Sequence, residues 1–335
     1  MKVLELEGGF GLDSLKVAER PDPQPGPYQV TVRVKAASLN FRDLLTVQGF
    51  YNPKQKLPLI PCSDGAGEVV AVGPSVTRFK LGDRVASLFS QGWLGGPPDR
   101  SKLATTLGGP LDGMLAEQVV LREDGLIAVP AYLSDEEAAT LPCAGVTAWS
   151  ALTQGALTAG DTLLVQGTGG VSLFALQFGK LLGARVIATS SSDEKLAKAR
   201  ALGASDGINY KAEPEWGKKA RALTHGVGVD HVIEVGGAGT LEQSLRAVRM
   251  GGHVSIIGQL TGNSGEVNLI PILMQNVRLQ GVLVGSRETF QSMNKALALH
   301  QVRPVIDRVF PLEEARAAFE HLASGTHFGK VVIRL

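Results

Sequence analysis

The stretch VQGTGGVSLFALQFGK, residues 165–180, decides the fold. It is entered from TLLVQ (162–166), an aliphatic run suited to a buried strand. Gly167, Gly169 and Gly170 follow at once, and apolar Leu173, Leu176, Phe178 and Leu181 then recur at helical spacing. A strand, a glycine turn and a helix in immediate succession make up the fingerprint of a dinucleotide grip, whereas a glycine turn without that context is commonly structural. Gly167 permits the tight turn, and Gly169 lets the backbone approach a pyrophosphate, whose charge the free N–H groups of a helix N-terminus favour. Thr168 and Val171 belong to the same expected phosphate loop. Gly170 and Ser172 are small where helix and strand must pack, Ser172 standing where the fingerprint has its last Gly or Ala.

Working outward, strands and helices alternate from about Leu133 onward. LSDEEAATLP opens with Ser134 and Glu137 in the spacing of a capping box. ARVIATS reads as a strand, SDEKLAKARALG as a helix ending at Gly203, DHVIEVGG as a strand, TLEQSLRAVRMGG as a helix, and HVSIIG and VRLQGVLVG as strands. RETFQSMNKALALH reads as a further helix. Such alternation predicts an α/β domain with a parallel sheet covered by helices. The first third differs. YQVTVRVKAAS, GAGEVVAVG and GDRVASL are short strands bounded by Gly and Pro, and PDPQPGP (21–27) is too stiff for a helix, so a small barrel is expected there. The last strand, in GKVVIRL, would return to that first domain and make it discontinuous.

The length of 335 residues exceeds what one hydrophobic core usually serves and agrees with two domains. With 33 basic and 32 acidic residues and no charged block, nothing points to nucleic acid or a membrane surface. The N-terminus lacks the apolar core of a signal peptide, and no apolar run is long enough for a membrane span. Two cysteines, Cys62 and Cys143, make no disulfide framework, and a cytoplasmic location with reduced thiols is expected. The six histidines show no metal spacing, and no strand–helix turn carries GxSxG.

The end of the second strand of the α/β domain selects the cofactor. An NAD binder places Asp or Glu there to hold the ribose hydroxyls. Here the strand ends in Thr189, Ser190 and Ser191, with Lys195 following. Hydroxyls and an ammonium suit a 2′-phosphate, so NADPH is expected over NADH. Asp193 is the counter-signal, and it is expected to cap the following helix.

The segments SLNFRDL, SDGAGEVVAVGPSVTRFKLGDRV, LPCAGVTAWSAL, GGVSLFALQFGKLLGARVI and HFGKVVI, in this order over nearly the whole chain, resemble the medium-chain dehydrogenase/reductase superfamily. Within it the chain is similar to the zinc-independent quinone oxidoreductase branch and the alcohol-dehydrogenase-like proteins near it. The resemblance implies a GroES-like β-barrel domain, set at residues 1–125 and 296–335, and a Rossmann domain at 126–295, with the cofactor between them. Zinc members carry Cys where Asn40 stands and Gly-His-Glu where Cys62, Ser63 and Asp64 stand. Asn40 and Ser63 are poor zinc ligands, Cys143 alone would make a poor site, and the structural four-cysteine lobe is absent, so no zinc is expected. Without a Lewis acid, a quinone or conjugated enone is an easier hydride acceptor than a plain aldehyde.

The resemblance also implies roles. Asn40 takes the metal ligand's place and would donate its amide to a substrate oxygen, Asp43 would orient nearby groups, and Tyr51 is a candidate proton donor whose alternative is an exposed loop aromatic. Thr147 would contact the nicotinamide end and Tyr210 the adenosine phosphate. Gly236, Gly258, Val284, Gly285 and Ser286 would pass along the nicotinamide and ribose, with Arg287 beside them or on the helix surface. His327 and Lys330 would approach the cofactor. The expected activity is zinc-independent, NADPH-dependent hydride transfer to a quinone, enone or related carbonyl. The alternatives are an NAD(P)-dependent alcohol or aldehyde dehydrogenase of the same fold and a non-catalytic NADPH-binding protein. A homodimer is expected, paired through the edge strand in RLQGVLVG.

Overall fold

The computed structural model describes residues 1–335. The chain divides into two compact units, residues 1–146 with 285–335, and residues 147–284. The second unit is thus shorter at both ends than the 126–295 expected. Burial and hydrogen bonding explain both shifts. The capping-box helix Asp135–Ala139 forms as expected from Ser134 and Glu137, but Arg84 holds it to the first unit through Asp135 and the Leu133 carbonyl at 2.6 and 2.8 Å. The helix Arg287–His300 buries Phe290, Met293 and Leu297 there, and its first turn is tied by Arg287 N–H to the Trp93 carbonyl at 2.9 Å and by the Arg287 side chain to Asp124.

In the second unit six parallel strands lie in the order Asp206–Asn209, Arg185–Ser190, Thr162–Gln166, Val229–Glu234, Val248–Ile256, Arg278–Gly281. The order reverses between Thr162–Gln166 and Val229–Glu234, and in such sheets ligands bind beyond the strand carboxyl ends at that point. The residues VRMGG, expected to finish a helix, begin the strand Val248–Ile256 instead, because the helix stops at Ala247. The strand expected in RLQGVLVG spans only Arg278–Gly281.

Behind that strand His231 and His253 are buried, with ring centroids 4.6 Å apart, and both face the Ser255 hydroxyl. Burial, and the like charge of His253 and Arg278, pushes His231 down to about 3, while burial and Arg278 push His253 down as well. The unfolded chain therefore takes up protons near pH 6.5 that the folded unit refuses until about pH 3. Stability from His231 is full above about pH 6.5 and falls toward pH 3, at up to about 1.4 kcal/mol per pH unit, and His253 acts in the same direction. Urea midpoints measured at pH 7 and pH 5 are expected to drop, and a His231→Gln variant is expected to lose part of that dependence.

The first unit is a mostly antiparallel sheet centred on the long strand Gln29–Leu39, which pairs with Asp64–Val72, Gln118–Arg122 and Lys330–Arg334. Through the last of these the C-terminal strand lies in the first unit's sheet. Val30, Val32, Val34, Leu115, Leu126, Phe319 and Ile333 fill its core. Gln29–Leu39 ends where the short helix Phe41–Val47 begins, so Asn40 sits at a strand-to-helix corner.

Candidate active site

At this corner the Asn40 N–H donates to Asp43 Oδ2 at 2.8 Å, and Arg42 Nη1 lies 3.2 Å from Asp43 Oδ1. Asp43 is fully buried. Burial raises its pKa, against the pull of Arg42, the Asn40 N–H and Lys330. Arg42 also donates to the Leu107 and Gly109 carbonyls at 2.9 and 3.0 Å. Its guanidinium lies 4.9 Å from the Tyr51 ring centroid and 5.2 Å from that of Phe89. Tyr51 itself is half exposed, as its loop-aromatic reading expects, with its ring against the buried Arg42 guanidinium.

Cys62, Ser63 and Asp64 lead into the neighbouring strand Asp64–Val72, where Asp64 pairs with Ser38. Cys62 has φ 75°, a left-handed conformation that residues with a Cβ rarely adopt. Asp64 accepts from the Ser63 hydroxyl at 2.7 Å and the Cys143 N–H at 2.9 Å. Burial pushes Asp64 up to about 6, opposed by the Lys330 ammonium and the Ser63 hydroxyl. The Cys143 thiol, on a one-turn π-helix at Leu141–Gly145, keeps some exposure, yet burial of its sulfur and the Asp64 charge push its pKa well up. Lys330, buried, donates to the Leu39 carbonyl at 2.6 Å and to Asn40 Oδ1 at 2.5 Å. Asn40 Nδ2 is buried without a hydrogen bond of good geometry, although it lies near enough to Asp64 to help hold that charge.

These donors do not fit zinc. The Asn40 oxygen is taken by an ammonium, and Ser63 is a neutral hydroxyl bonded to Asp64, a poor zinc ligand. No group of three His, Cys, Asp or Glu is placed to hold a metal ion.

The second unit carries the nucleotide features. Gly167 has φ 71°, the tight turn expected of it, and Gly169 caps the helix Gly170–Leu181. A Cβ at Gly169 would meet open space, so the backbone there is free to receive a phosphate. Ser172 is buried and donates to the Gln166 carbonyl at 2.5 Å, which accounts for a small polar residue at that step. Thr168 is buried and Val171 partly so within the same loop. Thr189 Oγ1 accepts from Gly167 N–H at 3.3 Å, and Ser190 is buried at the strand end beside the Tyr210 backbone. Ser191 and Lys195 are half-buried and Tyr210 is exposed. One expectation is corrected. Ser192, not Asp193, caps the helix Asp193–Leu202, accepting from Lys195 N–H at 3.3 Å, while the Asp193 carboxylate takes the Asn209 amide at 3.0 Å. Ser192 ends the extended segment one residue earlier, which makes Asp193 the first helical residue.

Thr147 is buried at the start of the helix Val146–Gln154. Gly236 and Gly258 have local reasons for lacking a side chain, since a Cβ would fall 2.2 Å from Thr240 Oγ1 and from the Val235 carbonyl oxygen respectively. Val284 has φ 54°, a strained conformation for a β-branched residue, at the end of this unit. Gly285 and Ser286 open the first unit's helix, which Ser286 caps through Thr289 N–H at 3.3 Å. His327 stands 6.3 Å from the His321 ring, which bonds Asp307.

Sequence reasoning missed Glu234 and Gln166, which close the two strands flanking the switch point. The buried Glu234 carboxylate accepts from Gly236 and Gly237 N–H at 2.8 and 2.9 Å, Thr240 Oγ1 at 2.6 Å, Gln166 Nε2 at 2.7 Å, and the Ser244 hydroxyl. The only sequence signal is an acidic residue before two glycines, for which no spacing rule exists.

Two family models match the chain: an alcohol dehydrogenase GroES-like domain over residues 26–131 and a zinc-binding dehydrogenase over residues 170–299. A zinc-type alcohol dehydrogenase-like protein of Schizosaccharomyces pombe is 43% identical over 333 residues, covering 97% of this chain and 96% of its own. A quinone oxidoreductase of Pseudomonas aeruginosa is 36% identical, with 99% of each chain covered. The crystal structure of an NAD-dependent alcohol dehydrogenase superposes with TM-score 0.92 at 36% identity, covering all of both chains. The chain belongs to the medium-chain dehydrogenase/reductase superfamily, built from a GroES-like and a Rossmann domain, and is an NAD(P)H-dependent oxidoreductase.

Proposed function

We propose that this chain is a metal-independent, NADPH-dependent reductase that transfers hydride to a quinone, an enone or a related conjugated carbonyl. The observation that carries the reading is the Asn40 amide. Its oxygen is engaged by Lys330, its nitrogen is a buried donor without a good partner, and it stands among groups that do not suit zinc. Such a donor stabilises negative charge developing on a substrate oxygen. Asp43 holds the Asn40 backbone, and Tyr51 is the proposed proton donor. The bound cofactor supplies the hydride. The loop Gly167–Val171 would hold its pyrophosphate, with Thr147 and the stretch Val284–Ser286 toward the nicotinamide. A conjugated acceptor suits this arrangement because it spreads the incoming charge and needs less polarisation than a plain carbonyl. The test is NADPH oxidation by chelator-treated protein with a quinone, an enone and a simple aldehyde.

The preference for NADPH rests on Ser190 and Ser191 at the end of the second strand, Lys195 in the helix after it and Tyr210 bonded beside it, with no carboxylate ending the strand itself. The similar NAD-dependent alcohol dehydrogenase favours the second reading, an NAD-linked alcohol dehydrogenase. Calorimetry separates them. Lys195→Ala is expected to weaken NADPH about 10-fold, the worth of one charge-assisted contact at a half-buried site, and to leave NADH unchanged.

A homodimer is the proposed assembly. Arg278–Gly281 is an unpaired sheet edge, and beside it in sequence Leu269, Ile270, Leu273, Met274 and Leu283 are more than half exposed. Light scattering is expected to give about twice the 35.2 kDa chain mass, and a single monomer peak would refute the pairing.

A further inference from the structure

We infer that Lys330 is the positioning residue of the Asn40 amide: its ammonium fixes Oδ1 and so turns Nδ2 toward the substrate. This rests on the role proposed for Asn40 and adds the device that orients it.

The two ends of an asparagine amide are alike in shape and opposite in chemistry, one accepting and the other donating. A lysine ammonium only donates, so a buried ammonium beside the amide selects the oxygen and excludes the flipped rotamer. Lys330 Nζ lies 2.5 Å from Asn40 Oδ1 and 2.6 Å from the carbonyl of Leu39, the preceding residue, so it grips the corner at two points. Its own place is set by the sheet. The strand it opens pairs with Gln29–Leu39 in the register Val331 to Leu39, and its N–H donates to the Val305 carbonyl at 2.9 Å. Two buried carboxylates, Asp43 and Asp64, surround the corner, and Arg42 is paired with Asp43. Lys330 supplies the second positive charge, which leaves the buried group of four neutral. Nδ2, beside Asp64 but without a hydrogen bond of good geometry, is then the donating end of the amide that a substrate oxygen can engage.

The test is a double-mutant cycle on NADPH oxidation with a quinone acceptor. Lys330→Met is expected to lower kcat about 10- to 100-fold, the weight of one hydrogen bond to a charged group, with NADPH affinity held within about twofold. In an Asn40→Ala background the same substitution is expected to cost less than about twofold, because the amide it orients is gone. Lys330→Arg, also a cation that only donates, is expected to restore most of the rate, and it keeps the buried charge should the methionine variant not fold. An undiminished loss in the Asn40→Ala background, a loss carried by NADPH affinity, or a folded arginine variant without rescue would overturn the inference.

A second readout separates this from the substrate role of Asn40. The Asn40 side-chain NH2 signals, assigned by their disappearance in Asn40→Ala, are expected to remain two resolved resonances, kept apart by slow C–N rotation, and to move in chemical shift in Lys330→Met as the amide samples its flipped rotamer. Unchanged signals would refute the positioning even if Asn40 serves the substrate. Changed signals with full kcat in Asn40→Ala would uphold the positioning and refute the substrate contact.

Discussion

Asn40→Ala is expected to lower kcat for a quinone or enone about 10²- to 10³-fold, the usual loss of one preorganised donor to a developing oxyanion. The cofactor dissociation constant is expected to stay unchanged, because the glycine loop that would hold the pyrophosphate is elsewhere in the chain, at residues 167–171. The acceptor KM is expected to change little, since the donor acts mainly on charge present in the transition state. Asn40 is 8% exposed, and alanine there also leaves the buried Lys330 ammonium without its Oδ1 acceptor, at about 1–3 kcal/mol. That cost reads out in thermal stability and is separable from the rate. Steady-state kinetics beside a melting curve checks both, and a variant with wild-type kcat would remove Asn40 from the chemistry.

Glu234→Leu is expected to be the most damaging single change in the second unit, at about 3–5 kcal/mol, the range for breaking a buried charged network by removing one partner. Five donors converge on this carboxylate, two of them the backbone N–H groups of Gly236 and Gly237. Leucine would leave the Gln166 amide, the Thr240 and Ser244 hydroxyls and those backbone groups without their acceptor. Part of the loss is softened, because Gly236 N–H also reaches Gln166 Oε1 at 3.1 Å. Glu234→Gln is expected to cost less, since its oxygen still accepts from the glycines while its amide donates to the Ser244 oxygen. At about 2–4 °C per kcal/mol, the leucine variant is expected to melt roughly 6–20 °C lower. Because Glu234 and Gln166 close the strands on either side of the switch point, NADPH binding is expected to weaken with it.

The Rossmann half of the fold is legible in the sequence because its signals are local. Thr162–Gln166, Gly167 and Gly170–Leu181 follow one another without a gap, and Gly203 closes its helix at φ 113° as its position suggests. The boundaries are less legible. Nothing local shows that Arg84 holds the helix after Ser134, or that Arg287 reaches Asp124, since these are contacts between residues far apart in the chain. The site divides in the same way. The segment singles out Asn40 as a candidate, while its contact with Lys330, separated by 290 residues, follows only from strand pairing. The Asp193 cap is misread because Ser192 and Asp193 are both good caps, and one residue of extended backbone decides between them.

The most direct test of the account is the initial rate of NADPH oxidation by chelator-treated protein, with a quinone, an enone and a simple aldehyde offered in parallel. Turnover with the quinone or enone, retained after chelation and absent with the aldehyde, is the predicted result. Turnover confined to the aldehyde, or activity that disappears on chelation and returns with zinc, would contradict it.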